Sequence, residues 1–190
     1  MPTSKILDNT VISAAINEIK SVNLIAISGS IYPLKMSSEV YDEICAGFSG
    51  KRLEIIEKYI EKIDGRRHEK YQSLFEYLSK RYPYLHKGDI SSVLVAILEY
   101  ALQESDYFLV TDDSRLRKKI PEILQLEKVK ECLDREIESL NYTGTIGLIR
   151  RLCEKGIISE SELETIVYDL KNSTFRVSDE LLEELKRCGK

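Results

Sequence analysis

Short apolar runs alternate along this chain with longer stretches in which apolar residues recur at helical spacing. The run at residues 107–110 is rich in aromatic and β-branched side chains and too short for a helix, which is typical of a buried parallel strand. Residues 5–7 and 31–36 predict two further strands. Polar turns and helical patterns follow these runs, so the chain predicts an α/β fold: a three-layer α/β/α sandwich around a central, mainly parallel sheet, with a C-terminal helical appendage.

The helical patterns divide the chain into two parts. Residues 1–140 are expected to form the main domain, with a charged helical insert at about residues 51–82 that breaks at Asp64-Gly65. Residues 141–190 are expected to form a helical tail. There, Gly156 is placed to end one helix in the left-handed conformation, and Ser159 with Glu162 predicts a capping box for the next.

Acidic and hydroxyl side chains follow two of the predicted strands. Asp8 and Thr10 come directly after the first strand, and the segment Thr111-Asp112-Asp113 follows the strand at residues 107–110. Ligands of open α/β sheets bind outside the carboxyl ends of the strands. We therefore expect these side chains to share one acidic pocket.

Two further carboxylates are expected at the same edge. Val40 and Glu43 lie one helical turn apart, so Val40 can pack on the sheet while Glu43 faces the strand ends. Asp89 opens a strongly apolar helix. The helix dipole alone would favour an acid there by about 0.3–1 kcal/mol, but this helix leads directly into the strand at residues 107–110.

Carboxylates gathered in this way need a cation or protons. Two like charges about 4 Å apart repel by roughly 4 kcal/mol at an effective dielectric near 20, so such a cluster protonates or binds a metal. Oxygen ligands select hard ions, Mg²⁺ or Mn²⁺, which can activate water for attack on a phosphodiester. The candidate ligands are Asp8, Glu43, Asp89 and either Asp112 or Asp113, and the hydroxyls of Thr10 and Thr111 are placed to orient them.

A compact basic group follows the segment Thr111-Asp112-Asp113, hereafter the acidic turn. It consists of Arg115, Arg117, Lys118 and Lys119. It can track a phosphate backbone near the metal site, or it can be a solvated helix face. The net charge of the whole chain is −4, so only this local group points to nucleic acid.

Composition narrows the setting. The four cysteines are widely spaced, and there are only two histidines, which disfavours a zinc site and favours free thiols in a reducing cytoplasm. The longest apolar run, at residues 93–98, is far shorter than the roughly 20 residues that span a bilayer. Neither a signal peptide nor a membrane association is expected.

Other acidic and nucleotide sites fit the residues poorly. A haloacid-dehalogenase-like phosphatase has D-x-D-x-T after its first strand. If Asp8 were the second Asp of that motif, the first would be at position 6, and if Asp8 were the first, the second would be at position 10. These positions hold Ile6 and Thr10. A phospho-receiver domain places its acidic pair after the first strand, but the pair here comes late. A dinucleotide-binding site needs a glycine-rich turn after a strand, and none is present.

The motif order resembles the PIN domain nucleases, which include the VapC-type toxins. The matching elements are Asp8-Asn9-Thr10, Val40-x-x-Glu43, Gly88-Asp89 and Thr111-x-Asp113, and the resemblance covers about residues 4–120. The tail segments at 144–148 and 175–181 are similar to those of an uncharacterised prokaryotic PIN-like branch.

The resemblance implies several properties. It implies a doubly wound fold, Mg²⁺ or Mn²⁺, and a metal-dependent ribonuclease that cleaves single-stranded RNA. It favours Asp113 over Asp112 as the fourth ligand, because Asp113 completes T-x-D. It also implies a homodimer and, for a toxin, an antitoxin partner. The alternative is a PIN-like module that binds RNA or protein without cutting.

Overall fold

A five-stranded parallel sheet forms the centre of the molecule. The computed structural model describes residues 3–103, 107–133 and 137–188. The strands are β1 Ser4–Leu7, β2 Leu34–Ser37, β3 Ile60–Ile63, β4 Tyr107–Val110 and β5 Tyr142–Thr143. Their order is β3-β2-β1-β4-β5, and every neighbouring pair runs parallel.

Helices cover both faces of this sheet. The helices are α1 Asn9–Ser13, α2 Leu24–Gly29, α3 Ser38–Gly47, α4 Lys51–Tyr59, α5 Tyr71–Arg81, α6 Lys87–Gln103, α7 Ser114–Leu124, α8 Glu127–Leu133, α9 Thr145–Glu154, α10 Glu160–Lys171 and α11 Asp179–Arg187. A π-helical turn, Ala14–Glu18, continues α1, and a 3-10 turn, Gly65–Arg67, follows β3. The predicted three-layer α/β/α class with a parallel sheet is confirmed.

Alternation along the strands divides the core into two clusters. In β1, Ile6 faces one cluster and Leu7 the other, and Leu109 and Val110 of β4 divide in the same way. Successive strand side chains point to opposite faces. Helices α5 to α8 therefore pack on one face of the sheet, and α1 to α4 pack with α9 to α11 on the other.

The segment at 51–82 differs from the predicted helical insert. Its middle forms β3, which pairs with β2 through the register Leu34↔Ile60 and makes this segment an edge of the central sheet. Ile60 and Ile63 are three residues apart, which fits a helical stripe equally well. Pairing with β2 and burial of Ile60, only 3% exposed, stabilise the strand instead.

The pattern after Pro121 also predicts a helical stretch from Glu122 to about Leu140, and this prediction is wrong in part. Pro121 lies inside α7 rather than starting a new helix, and α8 ends at Leu133. The following chain adds the short strand β5, whose Thr143 pairs with Val110 of β4. The two-residue strand is too short to leave an alternating pattern.

The tail packs on the main sheet within the chain. Its apolar residues Leu152, Ile166 and Leu182 belong to the same cluster as Val11 and Leu34. The predicted capping box at Ser159 and Glu162 is present, and Gly156 has the predicted positive φ, 67°. The boundary predicted at residue 140 thus precedes a strand of the sheet and helices that complete one face of it.

The sheet reverses its winding between β1 and β4. From β1 the chain adds strands in one direction to β2 and β3, whereas β4 and β5 extend the sheet on the other side. Crevices at such switch points, outside the carboxyl ends of the strands, are where open α/β sheets bind ligands. Asp8 and the turn at 111–113 lie at this switch point.

All four cysteines are free thiols. Among the described residues, no helix is long and apolar enough to cross a membrane.

Candidate active site

Asp8 lies at the centre of the switch point. It is 1% exposed and caps α1 by accepting a 2.8 Å hydrogen bond from the backbone N–H of Asn9 at Oδ1. Its other oxygen, Oδ2, accepts hydrogen bonds from the hydroxyls of Thr10 and Thr111, both at 2.8 Å. The carboxylate is therefore oriented by residues from two neighbouring strand ends.

The environment of Asp8 favours its protonated form. Burial, followed by the charge of Asp89, raises the pKa of Asp8 from 3.8 to about 6, although the donors from Thr111, Thr10 and Asn9 oppose this shift. A carboxyl group whose pKa stays high despite three donors lies in a site that lacks compensating positive charge.

Asp89 occupies the first turn of α6 and is 4% exposed. Its Oδ2 accepts a 2.8 Å hydrogen bond from the backbone N–H of His86. Burial raises the pKa of Asp89, the His86 N–H lowers it, and the charges of Asp113 and Glu43 raise it further. The charges of Asp113 and Glu43 thus affect the pKa of Asp89, and the charge of Asp89 affects that of Asp8.

Glu43 projects from α3 toward the start of α6. Its Oε2 accepts a 3.0 Å hydrogen bond from the side chain of Asn9, and its Oε1 accepts one of 3.0 Å from the backbone N–H of Gly88. A Cβ atom at Gly88 would lie 2.7 Å from Oε1 and 2.8 Å from Oε2. Glycine at position 88 therefore allows this carboxylate to approach the backbone.

Asp113 caps α7. Its Oδ1 accepts hydrogen bonds from the backbone N–H groups of Arg115 and Leu116, at 2.6 and 3.1 Å, and its Oδ2 lies 3.0 Å from the Arg115 guanidinium. Burial alone would raise the pKa of Asp113, but these donors outweigh it and lower the pKa below its usual value. Asp113 therefore stays ionised down to a lower pH than an exposed aspartate does.

Asp112 faces away from the other acids. Its Oδ1 accepts a 2.9 Å hydrogen bond from the backbone N–H of Thr145, and its Oδ2 accepts the Thr145 hydroxyl. Arg117 lies 3.2 Å from Oδ1 and also donates to the carbonyl oxygen of Thr111, through Nε at 2.8 Å. Asp112 thereby connects the acidic turn to the start of α9.

The basic group after the turn does not form one surface. Arg115 pairs with Asp113, and Arg117 is engaged by Asp112 and the Thr111 carbonyl. Lys119 pairs with Glu122 at 2.6 Å. Lys118 is exposed and has no ion pair among the described residues, so it has the most freedom to meet an external phosphate.

The acids are electrostatically coupled without forming a closed metal cage. In the described part of the chain, no group of three or more Asp, Glu, His or Cys side chains lies close enough to hold an ion as it stands. Glu43 and Asp113 are nevertheless close enough to raise the pKa of Asp89, and Asp89 is close enough to raise that of Asp8. The switch-point region that holds these four carboxylates is called the acidic crevice below.

Sequence reasoning did not predict several contacts that hold these carboxylates in place. Asn9 and Gly88 hold Glu43, the His86 N–H holds Asp89, Arg115 neutralises Asp113, and Thr145 holds Asp112. Asn9, Gly88 and Arg115 lie within two positions of a predicted ligand in sequence, which is a usable signal. Thr145 is distant in sequence and carries no such signal.

A comparison with protein families identifies the family of this chain. A family model described as a PIN domain matches residues 9–189. The chain belongs to the PIN domain family. PIN domains are generally nucleases, and PIN nucleases generally use divalent metal ions.

The match also covers the tail of this PIN domain, not only the segment that carries the acidic motifs. Comparisons with curated proteins and with solved structures found no match.

Proposed function

We propose that this PIN domain is a metal-dependent ribonuclease that hydrolyses phosphodiester bonds of single-stranded RNA. The observation that carries the proposal is the coupled set of Asp8, Glu43, Asp89 and Asp113 at the switch point of the sheet. Two of these carboxyls, Asp8 and Asp89, have raised pKa values because they are buried and face other acids.

The donor set fits a hard divalent ion. All four groups offer carboxylate oxygens, which Mg²⁺ and Mn²⁺ prefer, and the repulsion that raises the pKa of Asp8 would be relieved by a cation. An ion held by these residues would supply an activated water for in-line attack and neutralise the leaving oxygen. Its binding would compete with the present hydrogen bonds of Glu43 and with the Arg115 pair of Asp113.

The remaining residues have positioning roles in this proposal. Thr10 and Thr111 hold one Asp8 oxygen by two hydrogen bonds of 2.8 Å, which limits rotation of the carboxylate. Asn9 and Gly88 limit rotation of the Glu43 carboxylate by one hydrogen bond to each of its oxygens. No side-chain nucleophile is needed. Asp112 is not assigned to the metal, because its carboxylate is bound by Thr145 and Arg117.

The test compares wild type with Asp8→Asn and Asp89→Asn. Both substitutions keep side-chain size but remove a charge, so Mn²⁺ affinity by calorimetry and Mn²⁺-dependent cleavage of labelled single-stranded RNA should fall together. The control is Asp42→Asn, which removes an exposed carboxylate from α3. Metal binding that is unchanged in both site variants would contradict the shared site.

The second candidate function is a PIN-like module that binds RNA or protein without cutting. It is favoured by one observation, the lack of a three-ligand group among the described residues. Wild type that binds single-stranded RNA but leaves it intact with Mn²⁺ or Mg²⁺ would support this function over the nuclease.

The cellular role belongs to the same proposal. We assign the protein to the cytoplasm, where its four free cysteines would stay reduced, and we propose a toxin-type activity that an antitoxin protein restrains. Expression of wild type should then arrest growth, whereas Asp8→Asn should not. Growth at the normal rate with active enzyme present would contradict the toxin role.

A further inference from the structure

A cavity of about 740 Å³ opens between α1 and the C-terminal tail. The chain lines it with Ser13 and Ala14 on one side and with the segments at 142–147 and 174–178 on the other. These segments contain much of the two tail motifs, for which the proposed reaction has no use. The tail therefore builds a concave surface as well as covering the core.

This cavity, hereafter the tail cavity, adjoins the acidic crevice. Thr10 and Asp112 line the cavity, and the Thr10 hydroxyl also donates to Asp8 while accepting a 3.1 Å hydrogen bond from the backbone N–H of Asp112. The tail cavity is therefore separated from the Asp8 carboxylate by a single residue, Thr10.

Three arginines line the tail cavity. Arg117 is engaged by Asp112, and Arg150 lies 2.9 Å from Glu154 on its own helix. Arg176 is exposed and makes no hydrogen bond or ion pair with any described residue. Unlike the other two arginines, Arg176 would not have to break a contact with a described residue in order to bind a ligand.

The acids of the lining are partly committed elsewhere. Glu18 accepts the hydroxyl of Thr174 at 3.0 Å and its backbone N–H at 3.3 Å, while Asp112 is held by Thr145 and Arg117. Glu184 lies in the wall and acts electrostatically on Arg150. Arg176 is thus the charge best placed to select an anionic ligand.

Apolar and aromatic surface makes up the rest of the wall. Tyr142 is 41% exposed and Leu181 45% exposed, and Ile146, Phe175 and Val177 join them in the lining. A ligand that matches this wall must combine a flat or apolar part with an anionic part. Nucleotides have both, since every base offers a π face and every linkage a phosphate.

We propose that the tail cavity binds a nucleotide of the RNA strand beside the one cleaved at the acidic crevice, with its base on Tyr142 and its phosphate near Arg176. This inference rests on the proposed function, because it places the substrate of that reaction. The volume is within the roughly 300–1,000 Å³ typical of small-ligand pockets. A base can enter only when it is unstacked, which selects single strands over duplexes.

The test measures binding without cleavage. The probe is a fluorescein-labelled dodecamer of uridylate, titrated with full-length protein in chelator and followed by anisotropy. Tyr142→Ala should weaken binding about tenfold, as expected for the loss of one stacked base, and Arg176→Ala should weaken it by a similar factor through the loss of one phosphate contact. Arg176→Ala should also reduce the salt slope by roughly 0.7, as expected for one phosphate contact.

The matched control is Arg187→Ala. Arg187 is an exposed arginine of the tail, on α11, that does not line the cavity, so its removal should leave both affinity and salt slope close to wild type. If Arg176→Ala and Tyr142→Ala bind the probe as tightly as Arg187→Ala, the inference is overturned.

Failure of this inference is distinguishable from failure of the proposed function. Probe binding that depends on Arg176 and Tyr142, in a protein that does not cleave RNA with Mn²⁺, supports the tail cavity and contradicts the nuclease. Active cleavage with probe binding unchanged in both variants supports the nuclease and overturns the tail cavity.

Discussion

At the residue scale, Asp8 shows how burial and hydrogen bonding oppose each other in one side chain. Three donors favour its charged form, but burial and the nearby Asp89 carboxylate favour the protonated form more strongly. The result is a carboxyl group with a pKa of about 6. A cation would reduce the repulsion between the Asp8 and Asp89 carboxylates, which is the physical reason to expect metal there.

The first prediction concerns stability against pH without metal. Because the pKa of Asp8 is about 6 in the folded chain and near 3.8 when exposed, the folded state binds the proton more tightly, and the free energy of unfolding should fall as pH rises from 4 to 6. The shift of about two units corresponds to roughly 3 kcal/mol.

Urea unfolding in chelator at several pH values measures this effect. Asp8→Asn should lack this part of the fall, and at pH 8 it should be more stable than wild type. The difference between the two proteins removes contributions common to both, among them that of Asp113, whose effect has the opposite sign. Identical pH profiles for the two proteins would show that Asp8 is not buried in this way.

The second prediction concerns Gly144, which precedes α9. A Cβ atom there would lie 2.2 Å from the Arg117 guanidinium and 2.3 Å from Asp112 Oδ1, so Gly144→Ala should strain the contact between the acidic turn and the tail. We expect a loss of about 1–3 kcal/mol in the free energy of unfolding, as for other overpacked sites.

Gly47→Ala is the control for this substitution. A Cβ atom at Gly47, the last residue of α3, meets nothing within 4 Å, so alanine there should be neutral or stabilise by up to about 1 kcal/mol. Equal thermal stability of the two alanine variants would refute the close approach at Gly144.

At the element scale, the acidic turn provides the N-cap of α7 and the ion-pair partner of a basic residue in its first turn. Asp113 caps the helix, and Arg115 in the first turn pairs back with Asp113. The helix therefore uses part of its basic surface to neutralise the site. Lys118 is exposed and has no ion pair among the described residues, so it is the member of this group most accessible to an external anion.

The third prediction follows from this division of the basic group. Lys118→Ala should weaken binding of single-stranded RNA and reduce its salt slope by roughly 0.7, without changing the free energy of unfolding by more than about 0.5 kcal/mol. Lys155→Ala, an exposed lysine at the end of α9, is the control. A salt slope equal to that of wild type would remove α7 from the RNA surface.

At the scale of the whole molecule, the tail completes one face of the sheet. Leu182 of α11 is 2% exposed and belongs to the cluster that includes β1 and β2, while the adjacent Leu181 is 45% exposed. The buried apolar residues of the tail, such as Leu152, Ile166 and Leu182, are therefore covered within one chain. A second subunit is not needed to bury them.

The fourth prediction uses these neighbouring leucines. Leu182→Ala should lower the free energy of unfolding by about 2–5 kcal/mol, as for buried leucines elsewhere. Leu181→Ala should change it by less than about 0.5 kcal/mol. Urea unfolding of both variants measures the difference, and equal destabilisation would mean that α11 is not docked in this orientation.

Dimerisation stays a prediction that follows from family resemblance. Any interface on the tail would have to use exposed apolar residues such as Tyr168, 69% exposed, and Leu181. Light scattering of the full chain at high micromolar concentration measures the mass. A monomer mass would contradict the dimer and leave one acidic crevice and one tail cavity as a complete unit.

The sequence by itself determined the parts of this protein that depend on local pattern. The strands at Ser4–Leu7 and Tyr107–Val110 and the capping box at Ser159 all appear as predicted, and acidic residues follow both strands. These features are encoded by neighbours in the chain: apolar runs, capping residues and the rule that parallel strands end at a common edge.

Only the tertiary structure decided the features that depend on distant partners. β3 forms because β2 offers its free edge, although the helical spacing of Ile60 and Ile63 is equally good. Asp112 turns from the acids because the N–H and hydroxyl of Thr145, 33 residues away, reach it. Backbone hydrogen bonds between strands and contacts across the fold leave no local pattern in the sequence, so these outcomes follow from packing alone.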